Sequence, residues 1–520
     1  MNTAYQDLEP IVAFSPVREK VEEMIDHLGS ATALGMRHEE VEEYVVQEGR
    51  EVQRRMLQAH FDLRKAAERP VEVMAADGVK RKPRRHLGRA LLSVVGPVEI
   101  ERLAYQGEGA NAMFPLDASL NLPPELYSYG VRRRVVQEVW RGSFEDAVNT
   151  LAGTTGAPVQ KRQVEELAAR AAQDFEAFYA ARPVNDVREA GLLLVLTFDG
   201  AGIVVRKQDL RPATRKAAEE SERDPRWPPK RLPVGKKKNR KRMAEVAAVY
   251  GIAPFPRTPE DIVRELRPVQ DTAPKLPRPK PVNKRAWASV EADMEQVIAD
   301  AFDEADRRDP QRLRRWVALV DGNGDQIARV LACAEVLGVE ITLILDVIHV
   351  LEYLWKAAYC FHKAGSAAAE TWVSKRLVML LDGVDASSVA AGMTRSATLN
   401  KVPQRKAVDT CARYLRKNRA LLHYGEALAA GLPIATGVIE GACRYLIRDR
   451  MDKTGAQWSL LGAEAILKLR AICSSGDFEA YWIFHLAAEY ERNHVAKYLG
   501  GSVPSTLPST NTRAHLRRVK

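Results

Sequence analysis

Three hydrophobic runs, Leu192–Phe198, Trp316–Val320 and Ile341–Leu345, are each followed directly by an aspartate: Asp199, Asp321 and Asp346. Short runs rich in leucine, valine and isoleucine, with almost no polar alternation, belong to strands covered on both faces, which is the situation of parallel strands. Ligands of such sheets bind beyond the carboxyl ends of the strands, so the runs predict three carboxylates gathered along one edge. A fourth acid, Glu440, falls in the first turn of a helix predicted to begin at Thr436. Carboxylates converging from separate elements suit hard divalent cations, and a pair of such ions can activate water and stabilise the leaving oxygen of a phosphodiester. The expectation is a magnesium or manganese site held by Asp199, Asp321 and Glu440.

Each acid also has a plainer reading. Asp199 could open an Asp-Gly turn, Asp321 could be a polar residue in a glycine-bearing loop, and Asp346 could cap the following helix. Glu440 could pair with Arg444 on a surface. These readings together leave unexplained why so many acids share an edge, so the metal site is favoured. Asp346 and His349, one helical turn apart, form a second candidate pair beside the same edge, with a packed structural histidine as the alternative.

Charge narrows the partner. The chain carries a net +10, and Arg206–Arg242 holds fifteen Lys and Arg against five Asp and Glu, so that one stretch accounts for the whole excess. A concentrated cationic segment beside an acidic cluster points to a polyanion, most simply nucleic acid, with Lys236, Lys237, Lys238, Arg240, Lys241 and Arg242 following its backbone. Ahead of it, Phe144–Ala152, a Gly153–Gly156 turn and Val159–Leu167 have helix-turn-helix proportions. Lys161 and Arg162 would then stand at the start of the second helix, where phosphate and base contacts are made; an ordinary helical hairpin is the alternative. Arg444 and Arg448, in a column with Glu440 at four-residue steps, complete the expected DNA-contacting set.

The order of elements predicts an α/β fold of ribonuclease-H-like type: a mixed sheet with a helical insertion, preceded by a mainly helical amino-terminal region. A strand ending at Asp199 would turn back through Gly200–Gly202 into Ile203–Arg206, and Met243–Gly251 would add a third, antiparallel strand. Pro254–Pro281, with eight prolines, reads as an extended loop. Helices near 286–307, 325–336 and 347–361 would flank strands at 316–321 and 341–346. Residues 1–72 read as helical, 73–121 as a small basic β element and 122–185 as helical and DNA-binding. The catalytic core would occupy 190–361, resume at 436–495 after a helical insertion at 362–435, and give way to a disordered tail at 496–520.

Other classes lose support. No apolar run approaches the roughly 20 residues of a membrane span, and the amino terminus has no basic and apolar leader pattern, which reads as cytosolic. The five cysteines stand singly with no Cys-x-x-Cys pair, so neither a disulfide framework nor a zinc knuckle is expected. No Walker phosphate loop, His-Glu-x-x-His or Gly-x-Ser-x-Gly occurs.

Four blocks carry a resemblance: Phe198–Gly202, Val320–Asn323, Leu345–Trp355 and Thr436–Arg444, the last followed by Arg450–Trp458. They resemble the Kra-type bacterial insertion-sequence transposases, DDE enzymes related to the Mutator-like group, over about 190–475 and more loosely before it. The resemblance implies magnesium-dependent cutting at transposon ends, joining of the freed 3′-hydroxyl to target DNA, and a homo-oligomer on DNA in the bacterial cytoplasm. It implies Asp199 as the first aspartate, Asp321 as the second and Glu440 as the glutamate, with Asp346 and His349 matching an Asp-x-x-His element; one motif out of step, Asp346 would replace Asp321. Related transposases often carry a cysteine-rich zinc segment ahead of the core, whereas the first cysteine here is Cys333.

Overall fold

The computed structural model describes residues 9–182, 191–222, 241–266, 277–435, 437–452 and 456–507. The chain forms two compact units, one of Met1–Ala180 with Phe478–Lys520 and one of Ala181–Asp477. Among the described residues, no helix is long and apolar enough to cross a membrane.

In the first unit, helices Ser15–Leu28 and His38–Ala67 pack together, and the longer one also packs against a twisted hairpin. A short strand β1 (Val73–Met74) pairs with β2 (Lys80–Ser93), and β2 pairs antiparallel with β3 (Gly96–Gln106). In the first half of β3, Val98 and Ile100 are buried and Glu99 is exposed, the alternation of a sheet with one covered face, while Arg102–Tyr105 are buried throughout. Helices Tyr129–Val139, Phe144–Thr154 and Lys161–Ala172 form a trio that buries Val131, Val135, Leu151, Val164 and Leu167. The second helix opens with a capping box in which Ser143 and Asp146 satisfy each other's backbone N–H groups. Gly156 ends the turn after that helix, where a Cβ would come within 2.6 Å of the Val95 backbone.

The same unit holds a buried polar network. The Arg132 guanidinium, fully buried, donates to Glu489 at 2.7 Å, contacts His485 at 2.9 Å and pairs with Glu125. His485 in turn meets Asp174 at 2.7 Å. Because Glu489 and His485 lie on helix Phe478–Asn493, this network ties that helix to residues before 180. The helix therefore groups with the amino-terminal unit and not with the segment 436–477.

The second unit is built on a five-stranded mixed sheet in the order β6-β5-β4-β7-β8. Its strands are β4 (Leu193–Val204), β5 (Lys241–Ile252), β6 (Val282–Ser289), β7 (Trp316–Val320) and β8 (Ile341–Leu345). The first three are antiparallel in sequence, while β7 runs parallel to β4 and β8 parallel to β7. Every residue of β7 is buried, as parallel strands covered on both faces require. Helices Met294–Arg308, Gly324–Leu337 and Val347–Ala358 make the connections, and the helices of 367–429 share one apolar cluster with Val317, Leu319, Ile344 and Leu354.

Two expectations fail here. The predicted turn at Gly200–Gly202 does not exist: β4 runs straight through it, with Asp199 opposite Val246 and Gly200 opposite Glu245. The Asp-Gly signal is overruled because β5 supplies a complete ladder along the whole length of β4. The third antiparallel strand is β6, which lies where the sequence predicted a proline-rich loop running into a helix. Its Arg285 is buried, paired with Glu304 at 2.6 Å and stacked over Trp287, so its charge is neutralised inside the unit.

Two outcomes test this packing. Replacing Arg132 with Met leaves Glu125, Glu489 and His485 without their shared donor, and urea unfolding should register a loss of about 3–5 kcal/mol in the amino-terminal unit; a loss under about 1 kcal/mol would contradict the network's role. Glu68 is buried, accepts from the Leu103 N–H at 2.9 Å and lies 3.8 Å from the His86 ring, and burial pushes its carboxyl from 4.5 to about 7. The unfolded chain ionises at Glu68 first as pH rises, while the folded side chain still holds its proton, so stability should fall between pH 4.5 and about 7. Glu68→Gln should flatten that slope, worth on the order of 2–3 kcal/mol, in denaturation curves taken across the window.

Candidate active site at the carboxyl edge of the mixed sheet

Strand register aligns the three aspartates. Thr197 pairs with Leu319 and Val320 pairs with Leu345, so continuing each ladder by its next residues sets Asp199, Asp321 and Asp346 at one level across β4, β7 and β8. Neighbouring strands are roughly 4.8 Å apart, so the three backbones span about 10 Å. The alignment follows from sequence, because each apolar run ends at its aspartate and buried runs fix their own register.

The side chains then diverge. Asp199 is half-buried on β4; one carboxylate oxygen accepts from the Gly200 N–H at 2.7 Å and the other from the Cys443 thiol at 3.1 Å. Asp321, one residue beyond β7, accepts from the Asn323 N–H at 2.7 Å, and its carbonyl accepts from the Tyr414 hydroxyl at 2.8 Å. Gly322 beside it has φ +91°, and a Cβ there would stand 2.9 Å from the Asn418 amide and 3.0 Å from the Tyr414 ring. Asp346 is 1 % exposed and caps helix Val347–Ala358 by accepting from the Ile348 N–H at 2.8 Å. The plainer capping reading of Asp346 is therefore met in full, and the Asx turn accounts for much of Asp321.

Glu440 arrives from a different element. Helix Gly437–Ala442 packs against β4 and β5, burying Ile439 and Ala442 and leaving Glu440 exposed. Partial desolvation raises the Glu440 carboxyl above its usual range, the Asp346 charge raises it further, His349 opposes, and Asp199 adds to the rise. Asp199, Asp346, His349 and Glu440 thus share one electrostatic neighbourhood. His349 is half-buried in the first turn after Asp346.

The expected column of Glu440, Arg444 and Arg448 is altered. Residues Cys443–Arg448 form a π-helical turn, whose i→i+5 spacing carries Arg448 off a four-residue row. Ile439, Ala442, Cys443, Leu446 and Ile447, which recur at three- and four-residue steps, form an apolar stripe that is buried throughout. Arg444 and Arg448 are both exposed, and Arg444 lies 3.6 Å from Asp449.

As they stand, the donors do not fit a divalent ion. Among the described residues no three His, Cys, Asp or Glu side chains stand close enough to hold a metal. The cage expected from Asp199, Asp321 and Glu440 is not assembled, and the reason is visible in the hydrogen bonds. Both Asp199 oxygens are engaged, and Asp321 is turned onto its own loop.

The remaining basic residues separate by role. Arg242 donates to the carbonyls of Val290 at 2.7 Å and Asp209 at 3.0 Å, which makes it a clamp inside the unit. Lys241 pairs with Asp452 at 2.7 Å. Lys236, Lys237, Lys238 and Arg240 lie outside the described residues, as does Thr436. In the amino-terminal unit, Lys161 is the first residue of its helix and lies 3.5 Å from Glu145, while Arg162 pairs with Glu166 at 3.0 Å; both remain exposed.

Three further residues belong to this edge: Cys443, which the sequence placed only in the apolar stripe of its helix, and Tyr414 and Glu245, which it did not single out. Cys443 is a buried thiol whose pKa burial and the neighbouring Asp199 push up, so it stays a neutral donor. Tyr414 is likewise pushed up by burial and by Asp321. Glu245, opposite Gly200, has its carboxyl raised by burial, with Arg211 opposing and Asp199 contributing. Cys443 stands three residues after Glu440 and was within reach of a periodicity argument; Tyr414 and Glu245 carry no local signal.

No family model matches the chain, and no curated protein does. Among solved structures, the Drosophila P element transposase strand transfer complex is similar over 76% of this chain and 85% of that one, at 10% identity and a TM-score of 0.23. A likeness of that degree carries no argument about what the edge does.

Proposed function

We propose that the protein is a DNA transposase of the DDE kind, an enzyme that cuts at the ends of a mobile element and joins the freed 3′-hydroxyl to target DNA. The single observation that carries this reading is the alignment of Asp199, Asp321 and Asp346 at one level of a β6-β5-β4-β7-β8 sheet, with Glu440 in electrostatic reach. Three antiparallel strands extended by two parallel ones is the ribonuclease-H-like order, in which the acids of the reaction lie along this edge. Burial divides the acids between roles. An acid that meets a phosphodiester has to be accessible, so Asp199, Asp321 and Glu440 are the reacting set. Asp346, with 1 % exposure, caps the following helix and, with His349, shifts the Glu440 carboxyl.

The chain's own cations would bring DNA to the edge. Exposed Arg444 and Arg448 follow Glu440 on one element; Lys161 and Arg162, also exposed, are candidate DNA contacts of the amino-terminal unit taken by itself. Carboxylates repel a polyanion, so the reading calls for magnesium or manganese to screen them. The donors as arranged do not hold such an ion, and no step is derived through one. That mismatch favours a second reading, a DNA-binding protein on a related fold whose acids serve as a turn, a cap and a hydrogen-bond acceptor.

Two measurements decide between them. Asp199→Asn, Asp321→Asn and Glu440→Gln should each lower cutting of the element's own ends by about 10³-fold while leaving DNA affinity, read by anisotropy, within about threefold. Asp346→Asn, which keeps a capping oxygen, should retain most of the cutting. Cutting that persists in all three acid variants defeats the transposase reading. Calorimetric titration with manganese should give heat with the wild type and much less with Asp199→Asn; identical titrations would favour the binding protein.

A further inference from the structure

Helix Gly324–Leu337 is apolar on two sides, and its own unit covers only one of them. Val330 and Ala334 are buried on the inner side, together with Gln326. On the outer side Ala328, Leu331, Ala332 and Val336 share one face and are exposed, Leu331 to 47% and Val336 to 85%. A single exposed apolar residue needs no explanation, but a helix that is apolar all round belongs in an interior. Between this face and helix Met294–Arg308 runs a groove of about 520 Å³, floored by the half-buried Ala299, Cys333 and Leu337. Its rim is acidic. Glu295, Asp303 and Asp325 stand exposed around it, against one basic residue, Arg329, which donates to Glu295.

In a chain of net +10, an acidic rim around uncovered hydrocarbon specifies the charge of what covers it. Nucleic acid is repelled by the same carboxylates that would draw a cationic protein surface. Pairing this face with the same face of a second copy would set two acidic rims together, where like charges oppose association. From Ala328 to Val336 the apolar row is about 12 Å long, a little over two helical turns. A trough between two helices is the shape that a third helix fills, with its side chains seated between theirs. We propose that this groove docks a short amphipathic helix of a partner protein, its apolar residues spaced i, i+3, i+4 and i+7 against the groove and its lysines or arginines over Asp303 and Asp325. The docking surface shares no residue with the carboxylate edge and does not depend on the DNA-cutting reading.

The test titrates full-length protein into a fluorescein-labelled peptide of about 14 residues, held helical by a side-chain staple, with leucines at the i, i+3, i+4 and i+7 positions and lysines elsewhere. Anisotropy should saturate with a Kd below about 100 μM. A protein of net positive charge repels such a peptide as a whole, so saturation reports the local acids. Val336→Lys should weaken binding about tenfold or more by placing a cation in the apolar row, and Asp303→Lys about threefold or more by reversing the rim. Both positions are exposed, so the fold should be kept, which circular dichroism checks. A peptide with glutamate at every lysine should bind about tenfold weaker or worse. No saturation with the wild type, equal binding of the glutamate peptide, or unchanged affinity in both variants overturns the proposal. A dimer seen in sedimentation and dispersed by Val336→Lys would assign the face to a second copy and overturn it as well. None of these outcomes touches the acids of the candidate active site, whose variants are read by DNA cutting.

Discussion

The parallel register of β4, β7 and β8 is the constraint on which the candidate site depends. These strands are buried on both faces, and a slip of one residue would drive each apolar side chain to the opposite face against helices shaped for another set. The register is thus fixed by the core, and the core fixes the level of Asp199, Asp321 and Asp346. What the aspartates do follows from what comes after them. Asp199 stays within a strand, Asp321 enters a tight glycine turn, and Asp346 starts a helix. One alignment of backbones therefore yields an accessible acid, a loop acid and a buried cap.

The helices of 367–429 bear on the site through that second aspartate. Tyr414 and Lys417, on helix Lys406–Lys417, reach the carbonyls of Asp321 and Gly322 at 2.8 and 3.4 Å, and Tyr424 reaches the Leu345 carbonyl at 2.8 Å. Those carbonyls close the ends of β7 and β8, where the ladder has run out and backbone acceptors need partners. The segment that looks like an inserted helical block on sequence is thus the part that finishes the sheet edge. Its apolar residues merge with those of β7 and β8 in one cluster, so it cannot loosen without exposing the floor of the site.

The runs ending at the three aspartates were legible because burial on both faces leaves a one-dimensional trace. The same holds for the stripe of the Glu440 helix and for the paired helices at 144–172. β6 was hidden because its most informative residue, Arg285, is a buried charge neutralised by Glu304 on a helix 19 residues away, and no local pattern announces a partner at that distance. The continuity of β4 through Asp199-Gly200 was hidden for a related reason: a turn dipeptide reports a local preference, and β5 outbids it with ladder pairing along the full strand. The π-helical turn was invisible because the buried stripe across it keeps the three- and four-residue steps of an ordinary helix.

That turn bears on what the edge can do. A regular helix would have set Arg444 and Arg448 in line with Glu440, two positive charges beside one negative one. The wider turn instead seats Cys443 against Asp199, where the buried thiol donates a hydrogen bond, and leaves both arginines in solvent. A weak sulfur donor is an inexpensive partner for a carboxylate to give up, far less so than a backbone N–H or an arginine. One Asp199 oxygen is therefore held by an easily exchanged partner, while the other keeps the Gly200 N–H at 2.7 Å. Glu440, already biased toward its proton by Asp346 and Asp199, gains most from any positive charge brought between them. The Glu440 side of the edge thus combines one weakly held carboxylate oxygen with mutual repulsion between acids.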